Sequence, residues 1–284
     1  MKVIFVVPKP NHQLETAKAL SEGFKKHGIT DIQLVKTYDP RIMGADLVSI
    51  WAWRPKRKGS QWWLVNESQQ ARSQHSLIME RAYVGDRMKW TSLGYDGLNG
   101  RADFCNSQIT DISRFNNHFQ HLLKPWQDTK SRKKVVIAGQ CRMDVAISHI
   151  NIDEWYRKTV TELNLRGYDV VFREHPLNTH PWIIEPGLRV RVDTSESFEE
   201  CMKGAKCVVT YNSNSAVLAL LAGIPTVSFD KGSMAHSLST HNLNNLAHKP
   251  DRKEWASKIA YCQWLPNEMA SGETWEHLKA KYGQ

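Results

Sequence analysis

Two short stretches carry residue types that suit one another chemically. Arg173-Glu174-His175-Pro176 closes the apolar run Tyr168–Phe172, and Tyr211-Asn212-Ser213-Asn214-Ser215 follows the apolar run Cys207–Thr210. On a strand, Arg173 and His175 lie two apart and project to the same side. A guanidinium fork and an imidazole N–H both donate to phosphate oxygens, and Pro176 fixes the turn that follows. Ser213, Asn214 and Ser215 precede the helix-forming run Ala216–Ala222, so hydroxyls and helix N–H groups add to the same anion site. With Glu174 between the two donors, these residues can hold and neutralise a departing phosphate without a metal. The chain has no Asp-x-Asp pair of the kind that carries metal-bound nucleotides. The plainer alternatives are a surface arginine beside a capping histidine, and an ordinary βαβ crossover.

A departing phosphate needs a partner carboxylate to deprotonate or stabilise the other reactant. Asp144, in Gly139-Gln140-x-x-x-Asp144, is the first candidate, with a helix cap as its structural alternative. Glu80, leaving the strand-like Ser76–Met79, is the second, and Glu174 the third. His236 and His241 lie in a Ser/His/Gly-rich loop and read as bystanders among twelve histidines. The chain has no G-x-S-x-G elbow, no G-x-G-x-x-G turn and no Walker loop, which disfavours hydrolase, dinucleotide-binding and NTPase chemistry. A cationic loop, Arg54, Lys56, Arg57 and Lys58, lies beside Trp51, Trp53, Trp62 and Trp63. It reads either as a solvated turn or as a contact to a phosphate backbone with stacking rings beside it.

The elements that must position these residues alternate strand and helix. Lys2–Val7, Ile32–Val35 and Ala45–Trp51 read as strands, Leu14–Lys26 as a helix closed by Gly28, and Ser60–Gln74 as a further helix. Trp90–Gly100 is polar, aromatic and glycine-punctuated without a period, which predicts an irregular functional loop. Ser113–Asp128 reads as a connecting helix and 128–134 as a charged linker. The second half then repeats the pattern from Val135, and Arg252–Trp264 and Thr274–Tyr282 read as closing helices. The fold class expected is α/β: two Rossmann-like domains facing each other across a central cleft. Their bounds are 1–128 and 134–264, with 265–284 a C-terminal helix free to pack back on the first.

Composition narrows the partners. Lys plus Arg exceeds Asp plus Glu by nine, a field that favours an anionic partner such as nucleic acid, a phosphorylated donor or an acidic surface. Five scattered cysteines with no ligand spacing indicate neither a disulfide framework nor structural zinc. No apolar run approaches a membrane span and no leader is evident, so a cytoplasmic protein is expected.

Taken in order, the motifs resemble a known family. Glu80-x-x-Tyr83, Thr91-x-Leu93-Gly94, Gly97-x-Asn99, Gly139-Gln140-x-x-x-Asp144-x-x-Ile147, Arg173-x-His175-Pro176, Ser213-x-Ser215 and Ala222-Gly223-x-Pro225 are similar to motifs of the capsule polysaccharide glycosyltransferases of the Kdo-transferase type. The resemblance covers roughly residues 75 to 230. It implies a glycosyltransferase-B (GT-B) fold and a nucleotide-activated sugar, UDP- or CMP-linked, held by the second domain at Gln140, Arg173, Glu174, His175, Ser213, Asn214 and Ser215. It also implies a functional Asp144. The wording around Glu80–Asn99 and the closing Leu265–Trp275 looks more like bacteriophage relatives, which would act in the host cytoplasm. Such enzymes glycosylate hydroxymethylated pyrimidines in DNA, and the basic charge and tryptophan-rich first half fit that acceptor. Arg54, Lys56, Arg57, Lys58, Tyr83, Trp90 and Asn99 are then the acceptor-side residues. A saccharide acceptor and a non-catalytic binding module are the alternatives.

Overall fold

Short β-branched runs and longer amphipathic stretches alternate through the chain, and most become a strand or a helix. The computed structural model describes residues 1–7, 12–36, 38–53, 56, 61 and 63–283. In order come β1 (Lys2–Val6), α1 (His12–Lys26), β2 (Asp31–Val35), β3 (Leu47–Trp51), α2 (Trp63–Ala71), β4 (His75–Arg81), β5 (Thr91–Tyr95) and α3 (Ser113–Phe119). They are followed by β6 (Lys134–Ala138), α4 (Ile152–Leu165), β7 (Asp169–Arg173), β8 (Val190–Val192), α5 (Phe198–Met202), β9 (Cys207–Thr210) and α6 (Ser215–Leu221). The chain closes with β10 (Thr226–Ser228), α7 (Lys253–Ile259), β11 (Gln263–Trp264), α8 (Pro266–Ser271) and α9 (Glu273–Leu278).

Two compact units result, Met1–Phe115 with Ala256–Gln284, and Asn116–Trp255. The first holds a six-stranded sheet in the order β11-β5-β4-β3-β1-β2. Strands β1 to β4 are parallel, while β5 runs antiparallel to both β4 and β11. Alternate side chains feed two cores. Phe5, Phe24, Leu47, Leu77 and Tyr95 pack on the α1 side, and Ile4, Val48, Ile78 and Val65 on the α2 side. Trp264, Trp275 and Leu278 of the returning C-terminal segment belong to the α1-side core, which holds that segment to the first unit.

The second unit holds five parallel strands in the order β10-β9-β6-β7-β8. Tyr156, Phe172 and Trp182 fill one face, and Val136, Val208 and Ala219 the other. From β6 the chain steps to β7 and β8 on one side, then returns to place β9 and β10 on the other. The carboxyl ends of β6 and β9 therefore flank the switch point, where open parallel sheets bind ligands. In the first unit β1 lies between β2 and β3 and marks the corresponding position.

The structure changes several expectations. Thr91–Tyr95, expected as part of an irregular loop, is a fully buried strand. Leu93 and Tyr95 alternate with Ser92 and Gly94 and feed the α1-side core, but two apolar residues among polar and glycine neighbours are too short a pattern to stand out. Gln263–Trp264, expected within a closing helix, pairs with β5. Leu123–Asp128 is not helical, and α3 stops at Phe119. The segment after it is tied to the second unit, with Lys124 N–H donating to Leu221 O and Gln127 N–H to Gly223 O. Gly223 has φ +74°, and a Cβ there would lie 2.0 Å from the Pro125 carbonyl, so both the turn and the crossing chain require glycine. Among the described residues no helix is long and apolar enough to cross a membrane.

Candidate functional site

At the second unit's switch point, Gln140 and Asn212 are joined twice. Gln140 Nε2 donates to Asn212 Oδ1 at 2.6 Å, and Asn212 N–H donates to Gln140 Oε1 at 2.9 Å. Both residues are buried. The remaining Asn212 donors reach the Ala146 carbonyl and Asp230 Oδ1, both at 2.9 Å. The Gln140 carbonyl accepts from Asn178 Nδ2 at 3.0 Å, and its N–H donates to Tyr156 Oη at 2.7 Å. One buried amide pair thus binds together the loops that follow β6, β7, β9 and β10. Full satisfaction of such a network favours a single loop arrangement over many.

Gly139 explains how the first two of these loops come together. Its N–H donates to the Arg173 carbonyl at 2.8 Å. A Cβ there would lie 2.9 Å from that carbonyl oxygen and 3.3 Å from the His175 nitrogen, so a side chain would push the loops apart. In the β7 loop, His175 Nδ1 accepts from Leu177 N–H at 3.2 Å, which puts the ring proton on Nε2.

The neighbours of His175 are braces. Glu174 accepts from Trp182 N–H at 2.7 Å and from Asn178 Nδ2 at 2.6 Å, so its carboxylate folds the 174–182 loop on itself. Arg173 Nη1 donates to Asp193 Oδ2 at 2.6 Å and to the Ser195 carbonyl. This turns its fork toward the β8 loop, although strand alternation places it on the same side as His175. Burial raises the Asp193 carboxyl, but hydrogen bonds from Ser195 and Arg173 outweigh that and leave it below the usual carboxylate range.

Asp144 lies exposed on the β6 loop. Its Oδ1 accepts from Ala146 N–H at 2.9 Å and caps a 3₁₀ turn, the structural alternative recognised in the sequence. Oδ2 has no hydrogen-bond partner among the described residues. Ser213 Oγ accepts from Ser215 N–H at 3.2 Å and donates to Ser215 Oγ at 3.1 Å, and Asn214 takes the cap position of α6. Sequence reasoning did not place Asn178, Asn212 or Asp230 in the site. Asn212 stood inside the motif, but its partner lies 72 positions earlier and no local pattern announces the pair. His149, also unforeseen, lies 3.2 Å from Tyr211 Oη and 3.8 Å from Asp230 Oδ2. His236 and His241 stack at 3.8 Å in the β10 loop. A cavity of about 550 Å³ lies to one side, lined by Arg142, Asp153, Arg157 and Glu185 among others. Its Arg142 is already paired with Asp153 and its Arg157 with Glu185.

In the first unit, Glu80 lies within β4, where one carboxylate oxygen accepts from Arg81 N–H at 2.9 Å. Tyr83 is buried, which pushes its hydroxyl far up, while hydrogen bonding to Ser92 and to the Asn99 backbone pulls the other way. Tyr83 N–H and Val84 N–H both donate to Gln263 Oε1, at 2.9 and 3.0 Å, so the returning segment fixes the turn after Glu80. Asn99 is half-buried with φ 54°. Trp90, expected to stack on an acceptor, is only 7% exposed and packs against the Arg114 guanidinium, 5.7 Å from its centroid. Its ring is buried against that guanidinium rather than open to a ligand. Lys56 is exposed, with Nζ 4.5 Å from the Trp63 ring centroid. Arg54, Arg57 and Lys58 lie outside the described residues.

No protein-family model matches this sequence, and no curated protein matches it in a sequence search. Solved structures do share its fold. The β-Kdo 2,4 transferase of Thermosulfurimonas dismutans KpsC superposes with a TM-score of 0.60 at 12% identity, covering 92% of this chain and 90% of that one. The β-Kdo 2,7 transferase of the same KpsC gives 0.56 at 13% identity and covers 99% of each chain. The fold is of the GT-B class, built from two Rossmann-like α/β units.

Proposed function

We propose that the chain is a glycosyltransferase whose second unit binds a nucleotide-activated sugar, UDP- or CMP-linked, at the carboxyl edge of β6 and β9. The reading is carried by the Gln140–Asn212 pair, which gathers the Asp144, His175 and Ser213 loops at the switch point of a parallel sheet. His175 Nε2–H and the Ser215 hydroxyl, which accepts from Ser213 Oγ and keeps its own proton to donate, are assigned to the donor phosphate. As the bond from the sugar's anomeric carbon to the phosphate oxygen breaks, negative charge grows on that oxygen, and these donors stabilise it. Asp144 is the first candidate for the carboxylate that takes the acceptor hydroxyl proton, and Glu80 the second.

The fold and the ordered motifs favour a saccharide acceptor. The net charge of +9 favours the rival, a hydroxymethylated pyrimidine in DNA, and of the four loop cations assigned to it Lys56 is the one among the described residues. A panel of CMP- and UDP-sugars incubated with oligosaccharides and, separately, with hydroxymethylcytosine DNA tests both, with products read by mass spectrometry. Sugar on the oligosaccharide alone supports the first acceptor, and sugar on the nucleoside the second. No transfer to either, together with no nucleotide binding, defeats the assignment.

A further inference from the structure

The segment read as a charged linker, 128–134, lies inside the second unit and begins a cationic edge. It leads into β6, so it stands at the amino end of the sheet, opposite the loops of the proposed donor site. Neighbouring elements bring further cations to it. Lys206 directly precedes β9, and its N–H donates to the Lys134 carbonyl at 2.7 Å. Lys206 Nζ donates to the carbonyls of Thr129 and Lys130, at 3.3 and 3.1 Å. Arg132 Nη1 donates to Gln127 Oε1 and to the Ala205 carbonyl, at 2.9 and 3.0 Å. Lys134 Nζ reaches the Lys203 carbonyl at 2.9 Å, and Lys249 Nζ the Gln127 carbonyl at 2.7 Å.

These head groups are fixed without being neutralised. A carbonyl holds an ammonium or guanidinium in place and leaves its full charge. Among the described residues only Lys203 of this group pairs with a carboxylate, Glu200 at 3.7 Å. Lys130 and Lys133 are exposed beside them. Asp128 titrates below the usual carboxylate range, first through the Lys130 N–H and then through the charges of Lys249, Arg132 and Lys130, which gathers those three around it. Asp169, Glu200 and Asp251 add negative charge here, and the cations still outnumber the acids.

The pattern selects among anions. Ammoniums at fixed spacings suit phosphates that are themselves fixed, as on a nucleic-acid duplex; a fluid bilayer surface needs no such anchoring. A bilayer surface also draws on a cluster of apolar anchors. Leu165, at the end of α4, is the exposed large apolar side chain near this edge, and it stands singly. A single strand would need open rings for its bases. The Trp126 ring has the Arg252 guanidinium 4.3 Å from its centroid and its Nε1–H on the Pro250 carbonyl at 3.1 Å.

We infer that this amino edge docks the phosphate backbone of a nucleic-acid duplex, without reading its sequence. The surface rests on the cations alone and not on the transferase reading. Docking there leaves the donor loops open, because the length of β6, roughly 15 Å, separates the two edges. Fluorescence anisotropy of a short labelled DNA duplex with the full chain tests it between about 50 and 200 mM salt, alongside flotation with phosphatidylcholine–phosphatidylglycerol vesicles. The duplex binds, and its affinity falls linearly on a log–log salt plot. Lys130→Gln, Lys133→Gln, Lys203→Gln and Lys249→Gln together weaken binding by about tenfold or more. They also lower the salt slope by about three to four, close to one for each lost phosphate contact. Equal charge removed from the first unit, by Lys18→Gln, Lys25→Gln, Lys26→Gln and Lys89→Gln, changes binding by less than about twofold. Thermal midpoints confirm that both variants fold, and CMP and UDP affinities are unchanged in the edge variant. No duplex binding at about 50 mM salt, equal losses in the two variants, or vesicles bound in preference to the duplex overturns the surface. Duplex binding without nucleotide binding keeps this surface and removes the transferase; nucleotide binding without duplex binding does the reverse.

Discussion

Gln140 and Asn212 exchange two hydrogen bonds, at 2.6 and 2.9 Å, across the carboxyl ends of the adjacent strands β6 and β9. Each also serves a further loop, Gln140 through Asn178 and Asn212 through Ala146 and Asp230. The pair sets where the second unit's loops stand relative to one another, so the proposed donor site depends on it more than on any charged residue.

Truncating either side chain leaves buried amide groups of the other unsatisfied. Gln140→Ala and Asn212→Ala should each cost about 1–3 kcal/mol. The double variant should cost clearly less than their sum, because the two share one interaction. Urea unfolding of the four proteins checks this, and additive losses would show that the two side chains act separately.

Asp144 both caps a turn and is assigned a role in chemistry, and one substitution separates the two. Asparagine caps about as well as aspartate, so Asp144→Asn should change stability by no more than about 0.5 kcal/mol. Transfer should nonetheless fall by roughly 100-fold or more. Unchanged turnover would leave Asp144 as a cap alone.

His175 is assigned one donor to the leaving phosphate. His175→Ala should lower kcat by about 10- to 1000-fold, the range for a lost oxyanion donor. His175→Asn, which retains an N–H donor, should recover part of that. Equal losses in both variants would mean that the ring, and not its N–H, matters.

Arg114 and Glu268 form a buried ion pair, with contacts of 2.5 and 2.9 Å and side chains 7% and 9% exposed. The arginine also lies 4.2 Å from the Trp264 ring centroid. It joins the start of α3 to the returning C-terminal segment. Glu268→Gln should destabilise the first unit by about 3–5 kcal/mol, because it strands a buried guanidinium. Thermal unfolding with limited proteolysis of the C-terminal segment reports it; a midpoint within experimental error of the parent would contradict this account.

The Arg173–Asp193 pair predicts an acid sensitivity. The Asp193 carboxyl titrates lower in the folded chain than when unfolded, where it lies at about 3.9. Its contribution is therefore complete above that unfolded value and is lost as pH falls through the lower folded one, below about pH 4. Asp193→Asn should flatten the decline in unfolding free energy between about pH 5 and pH 3. A parallel decline in variant and parent would place the acid sensitivity elsewhere.

Much of this protein is written locally. Runs such as Lys2–Val6, Lys134–Ala138 and Cys207–Thr210 are apolar and β-branched, and a buried parallel strand needs nothing else to be recognised. The polar turns that leave them, Gly139–Asp144, Arg173–Pro176 and Tyr211–Ser215, therefore announce strand-end loops, and with them the two α/β units. Four features were decided only by tertiary structure. β5 is a strand because β4 and β11 flank it on both sides, although its alternation amounts to Leu93 and Tyr95 alone. Trp90 is buried against the guanidinium of Arg114, a contact that no local pattern announces. Arg173 became a brace and Asn212 a keystone because their partners, Asp193 and Gln140, stand 20 and 72 positions away. Periodicity reports which face of an element is apolar; which distant polar group meets a side chain at that element's end depends on strand order, and strand order exists only once the sheet has formed.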